Sequence, residues 1–234
     1  MTLHRTAFAV MPFFFGLVLA ASPSMAETRP TVVELFTSQG CSSCPPADAL
    51  LGELARRSDI IALGFHIAYW DSLGWKDPFS TPQSTERQRA YAGLFGGQIY
   101  TPQLVVDGTS EMIGSRREEV MAALHTASHE AIAPVAFATD RHSVTIGPAA
   151  TSGSTGQVWL VRFVQKRTTH VGAGENARRR LEDTNGVQIL ATLGSWRGQE
   201  VGFAVEPPAA GEGMAVLVQA PDGKILGAAA LLGS

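Results

Sequence analysis

The stretch Glu34–Leu51, "ELFTSQGCSSCPPADALL", contains the only two cysteines of the chain, Cys41 and Cys44. It begins inside "TVVELFT", a β-branched and apolar run that is typical of a buried strand. It ends inside "PADALLGELARRS", in which the spacing of the leucines predicts an amphipathic helix. The cysteines therefore lie where a strand ends and a helix begins, at the edge of an α/β sheet where ligands and chemistry collect.

Strand and helix patterns continue to alternate across residues 31–130. "IIALGFHIAYW" predicts a second buried strand, and "TPQSTERQRAYAGLFG" predicts a helix with Thr81 as its N-cap. "PQLVVDG" and "SEMIG" predict a hairpin that turns at residues 107–108. Ser115 is expected to cap a last helix, "RREEVMAALHTASH". The predicted order is β-α-β-α-β-β-α.

The pattern changes to strands alone after Ala131. Seven strand-length runs follow: "PVAFATD", "HSVTIG", "QVWLVRFVQ", "GVQILATLGSW", "QEVGFAV", "MAVLVQA" and "KILGAAALL". Stretches rich in glycine and proline separate several of them. We therefore expect an α/β domain over residues 27–130 and a β-rich domain of the sandwich type over residues 131–234.

The N-terminus has the pattern of a secretory signal peptide. Arg5 precedes an apolar run, Ala7–Ala21, and Ser24 and Ala26 provide small residues for cleavage. The run has 15 residues, fewer than the ~20 that a membrane-spanning helix needs. We expect residues 1–26 to be removed and the mature chain to be periplasmic or secreted, without a membrane anchor, in an oxidising compartment.

Charge and composition exclude several classes of partner. Without residues 1–26 the chain has 17 basic and 21 acidic side chains, so we expect no nucleic-acid or membrane-surface partner. The mature length of 208 residues, and an apolar content of 45% over the full chain, suffice for a hydrophobic core. Disulfide bonds are not needed to hold such a chain together.

Two features together resemble the thioredoxin fold. A Cys-x-x-Cys sequence occupies the first strand–helix junction, and Thr101-Pro102 precedes the third predicted strand in "YTPQLVVDG". In that family the matching proline has a cis peptide bond and lies against the disulfide. The resemblance implies the same role for Pro102, with Thr101 beside it in the substrate groove.

A narrower resemblance covers nearly the whole mature chain. The segments "ELFTSQGCSSCPPADALL", "YWDSLGWKDPFSTPQSTERQRAYA", "IYTPQLVVDG", "GEN" and "LVQAPDGKILGAAAL" are similar to a family of secreted bacterial thioredoxin-like proteins catalogued as domain of unknown function 1223. The resemblance implies a thioredoxin-like domain followed by a β-rich part, and it implies no particular substrate.

The spacing of the cysteines favours redox chemistry. A disulfide across four residues restrains the unfolded chain by only about 2 kcal/mol, so it is a poor structural staple. In the redox interpretation Cys41 is the nucleophile, because it precedes a helix N-terminus and should be the more exposed thiol, and Cys44 resolves the mixed disulfide. Pro45 and Pro46 disfavour helical geometry at Cys44 and Pro45, and we expect them to delay the helix.

Glu34 is a second candidate catalytic residue. It interrupts an apolar strand, where a carboxylate is costly to bury unless it is protonated or paired. Thioredoxin-fold oxidoreductases often keep a buried acid under the disulfide to move the proton of the resolving thiol. The alternative is that Glu34 reaches solvent or an arginine.

Four further residues follow the second strand and are expected at the same sheet edge. His66, Trp70, Asp71 and Trp75 are candidates for lining a substrate groove or orienting a proton. A histidine in a buried strand is also commonly a hydrogen-bonded part of the core.

These patterns favour a thiol–disulfide oxidoreductase that uses Cys41 and Cys44 and no metal ion or other cofactor. Its partners would be protein or small-molecule thiols and disulfides, together with a periplasmic redox protein. Two alternatives remain: a binding or adaptor protein with an idle disulfide, and a protein that handles copper or zinc with the two thiols.

Overall fold

The computed structural model describes residues 28–233. The predicted signal peptide lies outside these residues. The helices are α1 (Pro45–Leu54), α2 (Pro82–Phe95) and α3 (Arg117–Thr126). The strands are β1 (Thr31–Thr37), β2 (Ile60–His66), β3 (Gln103–Val106), β4 (Ser110–Ile113), β5 (Val135–Phe137), β6 (Ser143–Ile146), β7 (Gly156–His170), β8 (Arg180–Trp196), β9 (Val201–Ala204), β10 (Glu212–Gln219) and β11 (Ile225–Leu232).

Local sequence signals account for the elements of the first half. The predicted order β-α-β-α-β-β-α is confirmed over β1 to α3. The Thr81 hydroxyl accepts a hydrogen bond from Ser84 N at 3.0 Å, and Gly96 ends α2 in the left-handed conformation, as its pattern predicts. The expected cap of α3 is wrong: Arg116 is the N-cap, and Ser115 instead accepts from Arg117 N through its carbonyl oxygen.

One eight-stranded sheet carries both halves of the chain, in the order β11-β10-β7-β8-β2-β1-β3-β4. β1 and β2 are parallel, and β3 is antiparallel to β1. The halves join where Gly64 of β2 pairs with Gly186 of β8. A Cβ on Gly64 would lie 3.1 Å from the Thr184 carbonyl oxygen, so a glycine permits this close approach.

The C-terminal half differs from the separate sandwich that the sequence predicts. All seven predicted strand runs are strands, but β7, β8, β10 and β11 extend the first sheet. Only β5, β6 and β9 form a second, three-stranded sheet. Face-to-face packing of the two sheets is limited to a core that includes Val144, Ile146, Met214 and Val216.

The helices cover opposite faces of the sheet. Val33 and Leu35 of β1 pack with the leucines of α1 and with α3, on the side we term the α1 face. Val32 and Phe36 pack with Tyr91 of α2, on the side we term the α2 face. Because side chains alternate along a strand, Thr37 belongs to the α1 face and Glu34 to the α2 face.

The sheet curls around the α2 face. The first residue of β11, Ile225, donates from its backbone N to Asp107 O at 2.9 Å, beyond the end of β3. Arg29 joins the same point through a buried ion pair with Asp107 at 2.8 Å and a hydrogen bond to Ile225 O at 3.0 Å. The two ends of the strand order are therefore held together.

Candidate functional site

Cys41 and Cys44 form a disulfide at the beginning of α1, with their Cα atoms 5.5 Å apart. Cys41 N donates to Ser38 O at 3.1 Å and Cys44 N donates to Cys41 O at 3.3 Å, which closes a tight loop after β1. The expected delay of the helix is wrong. Cys44 is helical and is the N-cap of α1, and two prolines follow it, because the first helical positions need no N–H donor.

Both sulfur-bearing residues are fully buried, which corrects the expectation that Cys41 is the more exposed of the two. The tip of the β7–β8 hairpin is hydrogen-bonded to the backbone of the cysteine loop. The buried side chain of Asn176 donates to Gln39 O at 2.9 Å and to Cys41 O at 2.8 Å. Beside it, a carboxylate oxygen of Glu175 accepts from Ser42 N at 3.0 Å.

The Thr101–Pro102 peptide bond is cis, as the resemblance implied. The Thr101 hydroxyl accepts a hydrogen bond from the Trp70 indole N–H at 2.9 Å. Trp70 in turn lies next to the cysteine loop, because a Cβ on Gly40 would be 3.5 Å from the Trp70 Cβ. Two predicted groove residues, Thr101 and Trp70, are thus joined to each other near the loop.

A buried polar cluster lies on the α1 face at the ends of β1 and β2. His66 Nδ1 contacts Asp77 Oδ2 at 2.7 Å, and His66 Nε2 lies 3.8 Å from Asp183 Oδ1 of β8. Gln39 connects the carboxylates, since its backbone N donates to Asp77 at 2.7 Å and its side chain donates to Asp183 at 2.6 Å. Because Gln39 is two residues before Cys41, the cluster and the disulfide share one loop.

Asp48 extends this cluster to the first turn of α1. Its backbone N donates to Cys44 O at 3.1 Å, and its carboxylate accepts from the Thr37 hydroxyl at 2.7 Å. Thr37 is the register partner of His66 across β1 and β2. A carboxylate one helical turn from Cys44 is thereby linked to the histidine.

Several groups of the cluster have pKa values displaced from their ordinary ranges. Burial raises the pKa of Asp48 to about 7, although the Thr37 hydrogen bond lowers it. Burial lowers the pKa of His66, but the negative charge of Asp77 and its hydrogen bond outweigh burial and raise the pKa to about 9. Burial also raises the pKa of Asp183. A proton can therefore be gained or lost here near neutral pH.

Asp71 and Trp75 support the cluster. Asp71, in a short 3-10 helix, accepts from Asp77 N at 3.2 Å and from the Ser80 hydroxyl at 2.6 Å, which fixes the turn that carries Asp77. Trp75 donates from its indole N–H to Gln39 Oε1 at 3.1 Å. Of the predicted residues, His66, Asp71 and Trp75 therefore meet around Asp77 and Gln39, whereas Trp70 is bonded to Thr101.

Glu34 does not lie under the disulfide, and its expected role in moving a proton is corrected. Its carboxylate is on the α2 face, opposite α1, where it forms a buried ion pair with Arg87 of α2. Arg87 Nη2 donates to it at 2.9 Å and the Tyr91 hydroxyl donates at 2.6 Å. The alternative of an arginine partner is the one that the structure contains, because α2 covers this face.

Sequence reasoning missed five members of the site: Gln39, Asp48, Asp77, Asn176 and Asp183. Asp48 carried a usable signal, since it is acidic and falls one turn after Cys44 on the predicted helix. Asp183 had none, because Gln39 contacts it across 144 positions of sequence. Its place depends on the pairing of β8 with β2.

Within residues 28–233, no group of three or more histidine, cysteine or acidic side chains has an arrangement that could hold a metal ion. In the same part of the chain, no helix is both long and apolar enough to cross a membrane.

The fold and the site define an α/β protein with a Cys-x-x-Cys disulfide at a strand–helix junction, next to a buried titratable cluster. The chain belongs to the family described as "Protein of unknown function (DUF1223)", which matches residues 32–219. No curated protein matches the chain.

Two solved structures resemble this one. The crystal structure of protein AGR_C_4864 from Agrobacterium tumefaciens is 29% identical, with a TM-score of 0.73 over 89% of this chain and 96% of that chain. HBP35 of Porphyromonas gingivalis is 14% identical, with a TM-score of 0.55 over 88% of this chain and 76% of that chain. The likeness to HBP35 is one of fold alone.

Proposed function

We propose that this protein is a thiol–disulfide oxidoreductase on a thioredoxin-like fold, acting on protein or small-molecule thiols in an oxidising compartment outside the cytoplasm. The observation that carries the proposal is the Cys41–Cys44 disulfide beside a cluster in which Asp48 has a pKa of about 7. The order β2-β1-β3-β4, with helices on both faces, supports the thioredoxin-like assignment. The N-terminal sequence supports export.

The proposed oxidation of a substrate proceeds in two displacements. A substrate thiolate attacks the sulfur of Cys41, the Cys41–Cys44 bond breaks, and Cys44 leaves as a thiolate that takes a proton from the Asp48 carboxyl. A second substrate thiolate then attacks the substrate sulfur of the mixed disulfide, and Cys41 leaves as a thiolate. Two electrons pass from the substrate thiols to the cysteine pair. The reverse sequence reduces a substrate disulfide.

Asp48 takes the proton role that the sequence suggested for Glu34. A general acid or base works best when its pKa is close to the working pH, and Asp48, in the first turn after Cys44, meets this condition as the acid in substrate oxidation and as the base in the reverse reaction. His66 and Thr37 position Asp48 and adjust its charge. The Glu34 carboxylate is instead paired with Arg87 on the other face of the sheet.

The test is a trapping experiment in the periplasm. Cys44→Ala leaves the attacking thiol and removes the resolving one, so mixed disulfides should accumulate as reductant-sensitive bands on a non-reducing gel. The matched control is Cys41→Ala, which should trap far fewer. Mass spectrometry of the bands identifies the substrates. Stronger trapping by Cys41→Ala would reverse the roles, and no trapping by either variant would contradict the proposal.

A second candidate is a binding or adaptor protein whose disulfide stays oxidised. The complete burial of both cysteines favours it. Reduction of insulin by dithiothreitol separates the two candidates. The oxidoreductase should accelerate the reaction and its Cys41→Ser variant should not, whereas an idle disulfide gives no acceleration in either protein.

A further inference from the structure

A basic patch lies beside the disulfide, at the tip of the β7–β8 hairpin (residues 171–180, termed the hairpin tip). It contains three consecutive arginines, Arg178–Arg180, and one acidic residue, Glu175, whereas the whole chain has a net charge of −3. All three arginines are exposed. Arg178 and Arg180 have no hydrogen-bond or ion-pair partner within residues 28–233. Their charges are therefore available to a partner molecule.

Arg179 fixes this patch close to the disulfide. Its Nη1 donates to Asn176 Oδ1 at 2.8 Å, and Asn176 Nδ2 donates to Cys41 O at 2.8 Å. Because one amide group separates the two hydrogen bonds, the guanidinium lies within about 10 Å of Cys41 O, which is about one Debye length at 0.1 M ionic strength. The acidic residue of the tip, Glu175, accepts from Ser42 N at 3.0 Å and offsets one of the three positive charges. A charged substrate therefore meets a positive potential before its sulfur reacts.

An exposed apolar residue lies next to the same tip. Leu73 is 60% exposed, and a Cβ on Gly174 would be 3.7 Å from Leu73 O. Trp75 holds the two segments together, because a Cβ on Gly172 would lie 3.1 Å from its ring. A small anion would use the arginines alone, whereas a polypeptide segment can contact charged and apolar side chains together. The combination favours a polypeptide partner.

We propose that the surface formed by Leu73 and Arg178–Arg180 selects substrate cysteines that lie in acidic polypeptide segments. This inference rests on the proposed function and names the substrate class of the same site. Carboxylates beside the substrate cysteine interact with the arginines, and Leu73 contacts an apolar side chain of the segment. The substrate thiolate then attacks the sulfur of Cys41, the Cys41–Cys44 bond breaks, and its electron pair stays on Cys44.

The probes are blocked peptides that share one cysteine and one leucine and differ only in their flanking residues, which are all Glu, all Gln or all Lys. Each is mixed in excess with the oxidised protein, free thiols are alkylated, and mass spectrometry measures the mixed disulfide with one alkyl group on Cys44. Each rate is divided by the rate at which the same peptide attacks bis(2-hydroxyethyl) disulfide, so that differences in thiol pKa cancel. The Glu peptide should react about tenfold faster than the Lys peptide at about 0.01 M ionic strength, and the preference should vanish at about 1 M.

Matched variants locate the preference on the hairpin tip. Arg178→Gln combined with Arg180→Gln removes the two unpaired charges and should lower the preference to about threefold. Arg89→Gln combined with Arg197→Gln removes the same charge at exposed positions outside the tip and should keep the full preference. An equal loss of preference in both double variants would overturn the assignment to the tip.

Further measurements separate the ways in which the inference can fail. Leu73→Ser should slow all three peptides by about threefold without changing their ratio. Mercaptoacetate carries a carboxylate without a chain. Unchanged rates in Leu73→Ser, or a normalised mercaptoacetate rate equal to that of the Glu peptide, would overturn the polypeptide assignment.

Neutral dithiothreitol measures the reactivity of the disulfide itself. If dithiothreitol reduces the disulfide and the three peptides react at equal normalised rates, this inference alone is overturned and the proposed function stands. A disulfide that neither dithiothreitol nor any of the peptides reduces would contradict both.

Discussion

The two faces of the central sheet both bury charged side chains, but the charges are matched differently. On the α2 face, Glu34 and Arg87 neutralise each other, and Glu34 together with Tyr91 raises the arginine pKa above its already high value despite burial. On the α1 face, Asp48 has a pKa of about 7 and His66 a pKa of about 9. The two clusters differ in their ratio of acidic to basic groups. One carboxylate meets one guanidinium on the α2 face, whereas several carboxylates share one imidazole on the α1 face.

The difference explains why Glu34 was a reasonable but wrong candidate. A buried carboxylate in a strand indicates that something compensates it, and on the α2 face that partner is the guanidinium of Arg87. A carboxylate in excess over its cations keeps an exchangeable proton near neutral pH. Only the second arrangement suits acid–base chemistry, and it lies beside the disulfide.

The largest effect is expected when the Glu34–Arg87 ion pair on the α2 face is broken. Arg87→Ala leaves the Glu34 carboxylate buried without its cation, and the free energy of unfolding should fall by about 3–5 kcal/mol. Urea unfolding measures the change. The exposed neighbour Arg89→Ala is the control and should stay within about 0.5 kcal/mol. A similarly small loss in Arg87→Ala would mean that the pair is not buried as described.

A smaller effect is expected at the hairpin tip over the α1 face. Asn176→Ala removes the donor for two buried carbonyl oxygens, Gln39 O and Cys41 O, and should cost about 1–3 kcal/mol. The same change uncovers the disulfide, so dithiothreitol should reduce it faster. Glu175→Ala, at the exposed end of the tip, should change stability by less than about 0.5 kcal/mol. Equal reduction rates in Asn176→Ala and the unmodified protein would contradict the covering role.

The smallest effect is expected at Asp48 on the α1 face, in the pH dependence of the free energy of unfolding. Because the pKa of Asp48 is raised from 3.8 to about 7, the folded state keeps a proton that the unfolded state loses. The stability from this group is therefore fully present below about pH 4 and is lost as pH rises to about 7. Asp48→Asn removes this loss and should stabilise the protein at pH 8 by about 1 kcal/mol, while slowing disulfide exchange.

Urea unfolding at pH 4 and pH 8 measures this change. Exposed Asp140→Asn is the control, and it should follow the pH dependence of the unmodified protein. If Asp48→Asn is destabilising at pH 8, burial does not raise the pKa of Asp48, and its proposed role in proton transfer fails.

The sequence by itself determined the local structure around the site. The strand–loop–helix order places Cys41 and Cys44 at the start of α1, and the Thr81 cap and the hairpin turn after β3 are where their signals predict. Thr101-Pro102 is cis, as the resemblance implied. These features depend on residues within one or two turns of each other, and such short-range preferences are present in the sequence.

Tertiary structure alone decided which charges meet. Strand periodicity predicts that a run is extended, but it does not specify which strand is its neighbour, so β8 could not be placed beside β2 in advance. That pairing brings Asp183 to His66, and the cover of α2 gives Glu34 an arginine 53 positions away. The burial and pairing of a carboxylate set its pKa, and both are properties of long-range packing.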